Sequence, residues 1–345
     1  MNLIGEHVDY NGGRCLPMAL TRSTSARVSL RDDSVVSVTS DSRQWSGGFD
    51  ELDQPVADAN AWVLYVVGVL IALEVKQGME IEISSDVPVG AGLSSSAALE
   101  CSVAVAVNEA LDLGRSPDQL EQACVRAESV TVGAPTGGLD QAIAIHGQAE
   151  HALLIDFATD TREQVPFDPS GHGLAVLVMD TKVSHELTDG GYGSRRDEAW
   201  AAAEKLGLDK RSLAQATSIN GLPELLMRRA RHVISEVARV DEFVAALRAD
   251  DWASLGPLMD ASHASLRDDY EVSCAELDVA VETASQAGAL GARMTGGGFG
   301  GSAIALVPLE RVNAVQSAVA TAFLARGWGE PEFFSAEPGA GARVL

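Results

Sequence analysis

Lysine is scarce in this 345-residue chain, occurring only as Lys76, Lys182, Lys205 and Lys210. None of these closes a Gly-x-x-x-x-Gly run, which excludes the phosphate loop whose lysine reaches the β- and γ-phosphates of a bound nucleotide. A His-Arg-Asp catalytic loop and an Asp-Phe-Gly triplet are missing as well, so the protein-kinase scaffold is excluded. Cysteine is equally sparse. Cys15, Cys101, Cys124 and Cys274 are scattered without Cys-x-x-Cys spacing, which argues for reduced thiols and against a disulfide or zinc framework. The longest uncharged apolar run, Ala61 to Leu73, is well short of the roughly 20 residues that span a bilayer. The N-terminus is acidic and carries no hydrophobic signal segment. Positive charge is in deficit, 25 basic against 49 acidic residues for a net charge of -24, which opposes nonspecific attraction to nucleic acid or anionic membrane. These absences predict a soluble cytoplasmic enzyme that binds neither nucleic acid nor membrane. With 46% hydrophobic residues, the length suffices for two modest domains or one large one.

The most informative segment present is Pro88-Val89-Gly90-Ala91-Gly92-Leu93-Ser94-Ser95-Ser96-Ala97-Ala98. It leads directly into an alanine-rich helical run, Ala97 to Leu113. Backbone N–H groups at a helix N-terminus lack intrahelical partners and sit at the positive end of the helix dipole, so they form an anion site. Glycines let the backbone approach a triphosphate, and serines add hydroxyl donors and a candidate Mg2+ ligand. A serine cap is the plainer reading, but a cap requires neither the Pro-x-Gly-x-Gly approach nor three consecutive hydroxyls.

Two further clusters stand out. Thr295-Gly296-Gly297-Gly298-Phe299-Gly300-Gly301-Ser302 formally satisfies Gly-x-Gly-x-x-Gly, yet it precedes the strand-like Ala303-Ile304-Ala305-Leu306-Val307 rather than a helix. It also lacks the acidic residue about 20 positions on that a dinucleotide fold requires. The segment therefore reads as a tight loop that lets backbone approach a ligand or another loop; a plain helix-to-strand turn is the alternative. At the other end, Gly5-Glu6-His7-Val8-Asp9-Tyr10-Asn11-Gly12-Gly13 is denser in hydrogen-bonding groups than a turn requires. Carboxylates accept from hydroxyls, and His and Asn can donate or accept, so the set suits a polyhydroxylated ligand. A solvated terminal turn is the alternative.

Periodicity predicts strands at Cys15 to Thr21, Thr24 to Leu30, Val35 to Ser40, Met79 to Ser84, Ala152 to Asp156, Leu174 to Met179 and after Gly301. Helices are predicted over Asn60 to Val75, Ala97 to Leu113, Pro117 to Val130, Arg195 to Leu206, Pro223 to Leu247 and Cys274 to Ala287. The Pro/Gly/Asp-rich passage Pro166 to Gly173 is the best candidate domain boundary, dividing 1–168 from 169–345.

Together the three clusters resemble the GHMP kinase superfamily, and Gly5-Glu6-His7-Val8-Asp9-Tyr10-Asn11 narrows the likeness to the galactokinases. Matching segments continue in the family's order: Gly133-Ala134-Pro135-Thr136-Gly137-Gly138-Leu139-Asp140-Gln141, then His185-Glu186-Leu187 with Tyr192 and Arg195-Arg196. After them come Asp269-Tyr270-Glu271-Val272-Ser273-Cys274, Glu276-Leu277-Asp278 and the glycine loop from Gly296 to Gly301. The resemblance implies an α+β, two-domain GHMP kinase fold. Its N-terminal α/β domain holds a left-handed βαβ unit, its C-terminal domain sets helices on an antiparallel sheet, the site lies in the cleft between them, and the final strand returns to the first domain. It implies ATP-dependent phosphorylation of galactose at the anomeric hydroxyl by a monomer, with ATP and Mg2+.

Roles follow from the same resemblance. Asp140 matches the catalytic carboxylate, and a helix-capping carboxylate is the other reading. Glu6, His7, Asp9, Gly137 and Tyr192 match sugar contacts. Gly90, Gly92, Leu93, Ser94, Ser95, Ser96 and Ala97 form the nucleotide loop; Ser96 and Glu128 match the Mg2+ positions, against a surface glutamate for the latter. Trp62 matches a residue packing near adenine, against core packing. The chain departs from the family in three places. Thr136 stands where cysteine is usual, and Gly190-Gly191-Tyr192-Gly193 is unusually glycine-rich. Met1 takes the x position, where valine is common, directly after the arginine of the family's Arg-x-Asn-Leu-Ile-Gly-Glu-His, so that arginine is absent; with arginine far outnumbering lysine, as GC-rich coding produces, an N-terminally truncated form is one expectation. A kinase acting at O1 of another sugar (N-acetylgalactosamine, arabinose or a uronic acid) and a non-catalytic sugar/ATP-binding regulator remain the alternatives, although Ser96-Ala97, absent from such regulators, favours the enzyme.

Overall fold

A computed structural model describes residues 1–41, 43–48, 61–134, 136–184 and 191–345. In chain order its strands are β1 (Arg14–Cys15), β2 (Thr24–Leu30), β3 (Val35–Ser40), β4 (Arg43–Gly48), β5 (Met79–Ser85), β6 (His151–Asp156), β7 (Thr161–Pro166), β8 (Leu174–Ser184), β9 (Gly291–Thr295), β10 (Gly300–Pro308) and β11 (Glu332–Ala336). The helices are α1 (Val63–Ala72), α2 (Ser95–Ala110), α3 (Pro117–Arg126), α4 (Leu139–His146), α5 (Gly191–Lys205), α6 (Glu224–Arg248), α7 (Leu255–Ser265), α8 (Ala275–Gln286) and α9 (Val312–Leu324).

The chain forms two compact units. One comprises Met1–Thr21, Val89–Leu93 and Gln148–Gly339; the other comprises Arg22–Pro88, Ser94–Gly147 and Ala340–Leu345. The passage from Pro166 to Gly173, expected as a boundary, instead lies inside the larger unit, where a short 3-10 turn at Ser170–His172 leads into β8. The final strand also departs from expectation: β11 pairs with β8 in the larger unit, and only the six residues after Gly339 belong with the smaller one.

In the smaller unit a sheet of order β2-β5-β3-β4 shares one buried apolar core with α1 and α2, and α2 lies against β2. Alternation decides how β5 lies: Met79, Ile81 and Ile83 are buried while Glu80 and Glu82 face out. β3 runs parallel to β5, and the chain passes between them through β4 and α1, the βαβ unit of the fold. α1 is apolar on nearly every face, as a helix buried on several sides must be. Its Gly68 permits close approach, since a Cβ there would lie 2.9 Å from the Cβ of Ala127. α3 opens with a full capping box, Ser116 to Gln119, and Pro117 at its first position. It ends earlier than its periodicity suggests, because residues Ala127–Val132 widen into a π-helical turn that Gly133 terminates at φ 77°. Such turns concentrate at functional sites, and this one carries Glu128.

In the larger unit an antiparallel sheet of order β11-β8-β10-β9 is packed by helices, with α8 against β9 and β10. β10 reads as one continuous small and apolar run, Gly-Gly-Ser-Ala-Ile-Ala-Leu-Val, and is buried on both faces. A second sheet, β1-β6-β7, holds the N-terminal segment. The predicted strand from Cys15 to Thr21 shrinks to Arg14–Cys15 plus isolated bridges at Pro17 and Leu20.

Candidate active site

The serine loop enters α2 through backbone that few residues tolerate. Ser94 sits in the left-handed region at φ 62°, following Gly92 at φ 70° and Gly90 at φ 79°. Ser94 occupies the N-cap position of α2, but its side chain makes no capping bond. Its hydroxyl donates instead to Oδ1 of Asp140, at 2.5 Å. The first turn of α2 carries no acidic residue of its own.

Asp140 stands in the first turn of α4, after Gly138 at φ 97°. Thr136, in place of the usual cysteine, accepts from the Gly138 N–H at 3.1 Å and donates to Gln141 Oε1 at 3.4 Å. Next to Asp140, the Gln141 amide nitrogen donates to both Glu100 and Glu128. Ser96 lies beside Glu128 and favours the charged form of its carboxyl. Three carboxylates therefore collect around two serine hydroxyls and one amide. Burial, together with Glu128, pushes Glu100 up to about 9, and burial raises Glu128 too. Glu100 Oε1 is buried and has no hydrogen-bond partner among the described residues.

Of the residues expected at the nucleotide, Leu93 and Ala97 are buried, anchoring the loop, while Gly90 is exposed with no atom within 4 Å of an added Cβ. Trp62 lies just before α1, half-buried against the apolar core, with Arg43 5.1 Å over its ring. Its Nε1–H finds no acceptor among the described residues.

In the larger unit the glycine-rich segment after β9 lies directly on the phosphate-loop backbone. A Cβ on Gly296 would come 2.8 Å from Gly92 O, one on Gly301 would come 3.2 Å from Ala91 O, and Ser302 donates to Ala91 O at 2.7 Å. With φ of 82° and 76° at Gly296 and Gly301, these positions demand glycine for space and conformation alike. The loop's use is thus approach to another loop, one of the two readings its sequence allows.

The same loop meets the N-terminal cluster. Glu6 Oε1 accepts from Gly296 N at 2.8 Å and Thr295 Oγ1 at 3.2 Å, and Arg293 stands 3.6 Å away. His7, at φ 62°, is buried, and burial pushes its imidazole down to about 3, so it is neutral. Its ring lies 5.3 Å from that of Tyr192 and 5.0 Å from that of Tyr270. Asp9 opens a 3-10 turn, half-buried, that closes when Gly12 N–H bonds Asp9 O. Gly137 belongs to the smaller unit, in the turn before α4. His185 to Leu187 and Gly190 lie outside the described residues, as does Pro135.

Several residues of these clusters were given no role from the sequence, although Arg195 and Tyr270 lie in segments that match the family. Glu100 follows Ser96 by one helical turn on α2, a spacing that places both on one face. Tyr270 joins Tyr10 and His7 from 260 positions away. Arg293 and Glu236, both fully buried, brace the first residues of the chain: Arg293 donates to Leu3 O, and Glu236 accepts from Gly5 N. Arg195, Arg228 and Arg229 fasten the segment around Tyr270 through its carbonyls and Glu271. At the far end of α4, His146 pairs with Glu121 and Asp118 at 2.8 and 3.4 Å.

Comparison with known proteins agrees with this arrangement. Residues 64–148 match the GHMP kinases N terminal domain, 243–325 the GHMP kinases C terminal domain, and 1–30 the galactokinase galactose-binding signature. The galactokinase of Streptomyces coelicolor is 44% identical, the match covering 100% of the chain and 92% of that protein. That of Mycobacterium tuberculosis is 41% identical over 96% of the chain and 93% of its own length. Among solved structures, Lactococcus lactis galactokinase complexed with galactose superimposes with a TM-score of 0.91 at 34% identity, covering 100% of the chain and 92% of that one. Identity of this order over the full length, with the sugar-binding signature in place, shows that the chain belongs to the galactokinase family of GHMP kinases.

Proposed function

We propose that the enzyme transfers the γ-phosphoryl group of ATP to the anomeric hydroxyl of galactose, with Asp140 as the general base. The observation that carries this reading is the hydrogen bond from Ser94 to Asp140. It ties a carboxylate to the residue where the phosphate loop enters α2, so that a proton acceptor and an anion-binding helix terminus share one local frame. In the proposed step the O1–H proton passes to Asp140 as O1 attacks the γ-phosphorus in line. The bond between that phosphorus and the bridging oxygen of ADP breaks, and galactose 1-phosphate and ADP leave. Gly90, Gly92 and the backbone from Leu93 to Ala97 hold the phosphates, and Trp62 packs beside adenine. Glu6, His7, Asp9, Gly137 and Tyr192 contact the sugar.

Ser96 and Glu128 fit Mg2+: both offer hard oxygen, they lie side by side, and the Glu100 carboxyl brings to the same cluster an oxygen with no hydrogen-bond partner among the described residues. When bound, the ion neutralises charge on the β- and γ-phosphate oxygens. Ser96→Ala is expected to weaken use of MgATP in a way that rising Mg2+ concentration partly restores. Loss of about 1 kcal/mol of stability with unchanged nucleotide kinetics would make Ser96 a helix residue only.

We also place the enzyme in the cytoplasm as a monomer. Among the described residues no helix is long and apolar enough to cross a membrane. Substrate choice is tested by ADP release against a panel of free sugars. Glu6 and Asp9 can only accept hydrogen bonds, so an epimer that misplaces a hydroxyl leaves a carboxylate unsatisfied, costing about 1 to 3 kcal/mol or more. Galactose is therefore expected to be used far better than glucose. Equal use of the two, or preference for an N-acetylated or uronic sugar, would assign the chain to another sugar at O1.

A further inference from the structure

His232 is fully buried on α6, in the larger unit, and has no part in the phosphoryl transfer proposed above. Both of its ring nitrogens are used within the protein: Nε2 lies 3.0 Å from the carbonyl oxygen of Glu6, and Nδ1 lies 2.9 Å from the Ser265 hydroxyl at the end of α7. Burial pushes the imidazole down to about 4, so at neutral pH it carries a single proton. A carbonyl oxygen can only accept, which puts that proton on Nε2 and leaves Nδ1 to accept from Ser265. One helical turn further along α6, Glu236 accepts from the backbone N–H of Gly5 at 2.9 Å. The Glu236 carboxylate is itself held by Ser262 at 2.7 Å and Arg239 at 2.8 Å.

Residues four apart share one face of a helix. That face of α6 therefore grips the peptide group entering Gly5 and the one leaving Glu6. The gripped turn is one that few sequences would hold unaided. Gly5 has φ 98°, where an added Cβ would come 2.7 Å from Arg14 O, and His7 has φ 62°. A side-chain-bearing residue in the left-handed region persists only where its surroundings fix it. Glu6 stands between the two. Its Oε1 is taken by Gly296 N and Thr295 Oγ1. A carboxylate accepts at both oxygens, and Oε2 is the one that the sugar-contact reading gives to galactose.

We infer that His232, together with Glu236, is a positioning residue for galactose: its bond to the Glu6 carbonyl fixes the turn from which the Glu6 carboxylate meets the sugar. This holds only if Glu6 contacts the sugar, the reading given above. A carboxylate placed in advance needs no ordering when the sugar arrives, so loss of the grip is read as sugar affinity. Among the described residues, neither His232 nor Glu236 bonds to the nucleotide loop, so use of MgATP is spared.

Two substitutions in the full-length chain separate the two ring nitrogens, because an asparagine amide ends where Nδ1 stood and a glutamine amide reaches the place of Nε2. His232→Asn keeps an acceptor for Ser265 and loses the donor to Glu6. It is expected to raise the galactose Kd, measured by calorimetric titration, roughly tenfold, the worth of one hydrogen bond, with the KM for MgATP within about twofold. His232→Gln keeps the donor to Glu6 and loses the acceptor for Ser265, and its galactose Kd is expected to stay within about threefold of wild type. A role in packing alone would affect both variants alike, so equal Kd values, raised or unchanged, would overturn the inference, as would a loss falling equally on MgATP. Should His232→Asn fail to fold, Glu236→Asp decides: it withdraws the carboxylate from Gly5 N–H by one methylene, it should likewise weaken galactose and spare MgATP, and an unchanged galactose Kd would overturn the inference. Glu6→Gln distinguishes the two readings. If it leaves galactose affinity unchanged, Glu6 is not a sugar contact and the positioning role falls with that reading. If it weakens galactose while His232→Asn does not, the sugar contact stands and the positioning role alone falls.

Discussion

Asp140→Asn is expected to lower kcat by roughly 10²- to 10⁴-fold while galactose still binds. The substitution preserves shape, and the amide oxygen can still accept the Ser94 hydroxyl, so the loop stays where the native bond holds it. What disappears is the ability to take the O1–H proton. An effect on kcat with little change in sugar affinity is the signature of an interaction made in the transition state. Calorimetric titration of galactose beside steady-state kinetics separates the two quantities. Near-normal turnover would leave Asp140 with orientation of the loop as its only role.

Arg293→Leu should destabilise the larger unit by about 3 to 5 kcal/mol, because removing one member of a buried ionic group leaves its partners uncompensated. Arg293 is fully buried and stands 3.6 Å from Glu6 and 3.9 Å from Glu236, which is itself fully buried. Burial alone would raise Glu236; His232, Arg293 and Arg239 overcome it and hold the carboxyl down at about 2, against an ordinary 4.5. A carboxylate lowered in this way contributes stability that is present above about pH 4.5 and is lost as pH falls toward 2. Without Arg293 the carboxyl titrates higher, so protonation relieves the variant before it affects the wild type. The stability gap measured by urea unfolding is therefore expected to narrow as pH falls from 7 to about 4. A gap below about 1 kcal/mol at pH 7 would mean that Arg239, 2.8 Å from Glu236, compensates the carboxylate unaided.

Elements with strong periodicity were legible, and weakly marked ones were not. Thr24–Leu30 and Val35–Ser40 form strands with the predicted bounds, and the long helix α6 differs from its expected range by one residue at each end. α4 escaped notice because it has only eight residues and opens after Gly137-Gly138, which reads as loop. β7 is polar and partly exposed, so only its pairing with β6 makes it a strand. α9 begins without a side-chain cap, leaving its start unmarked. The left-handed glycines at 296 and 301 were visible as a cluster, but the reason for them lies some 200 positions away at Ala91 and Gly92.

By itself the sequence determined the family and the local chemistry: a hydroxyl-rich loop leading into a helix, a carboxylate after a glycine pair, and a dense polar segment near the N-terminus. These signals are contiguous, and backbone geometry converts them directly into an anion site and a set of hydrogen-bonding groups. Only the tertiary structure decided which groups meet. It turned Ser94 from a helix cap to Asp140, set Gln141 between Glu100 and Glu128, and brought Tyr270 to Tyr10 and His7. Hydrogen bonds act over about 3 Å and are indifferent to separation along the chain, so partners 46 and 260 residues apart leave no trace in the spacing of either.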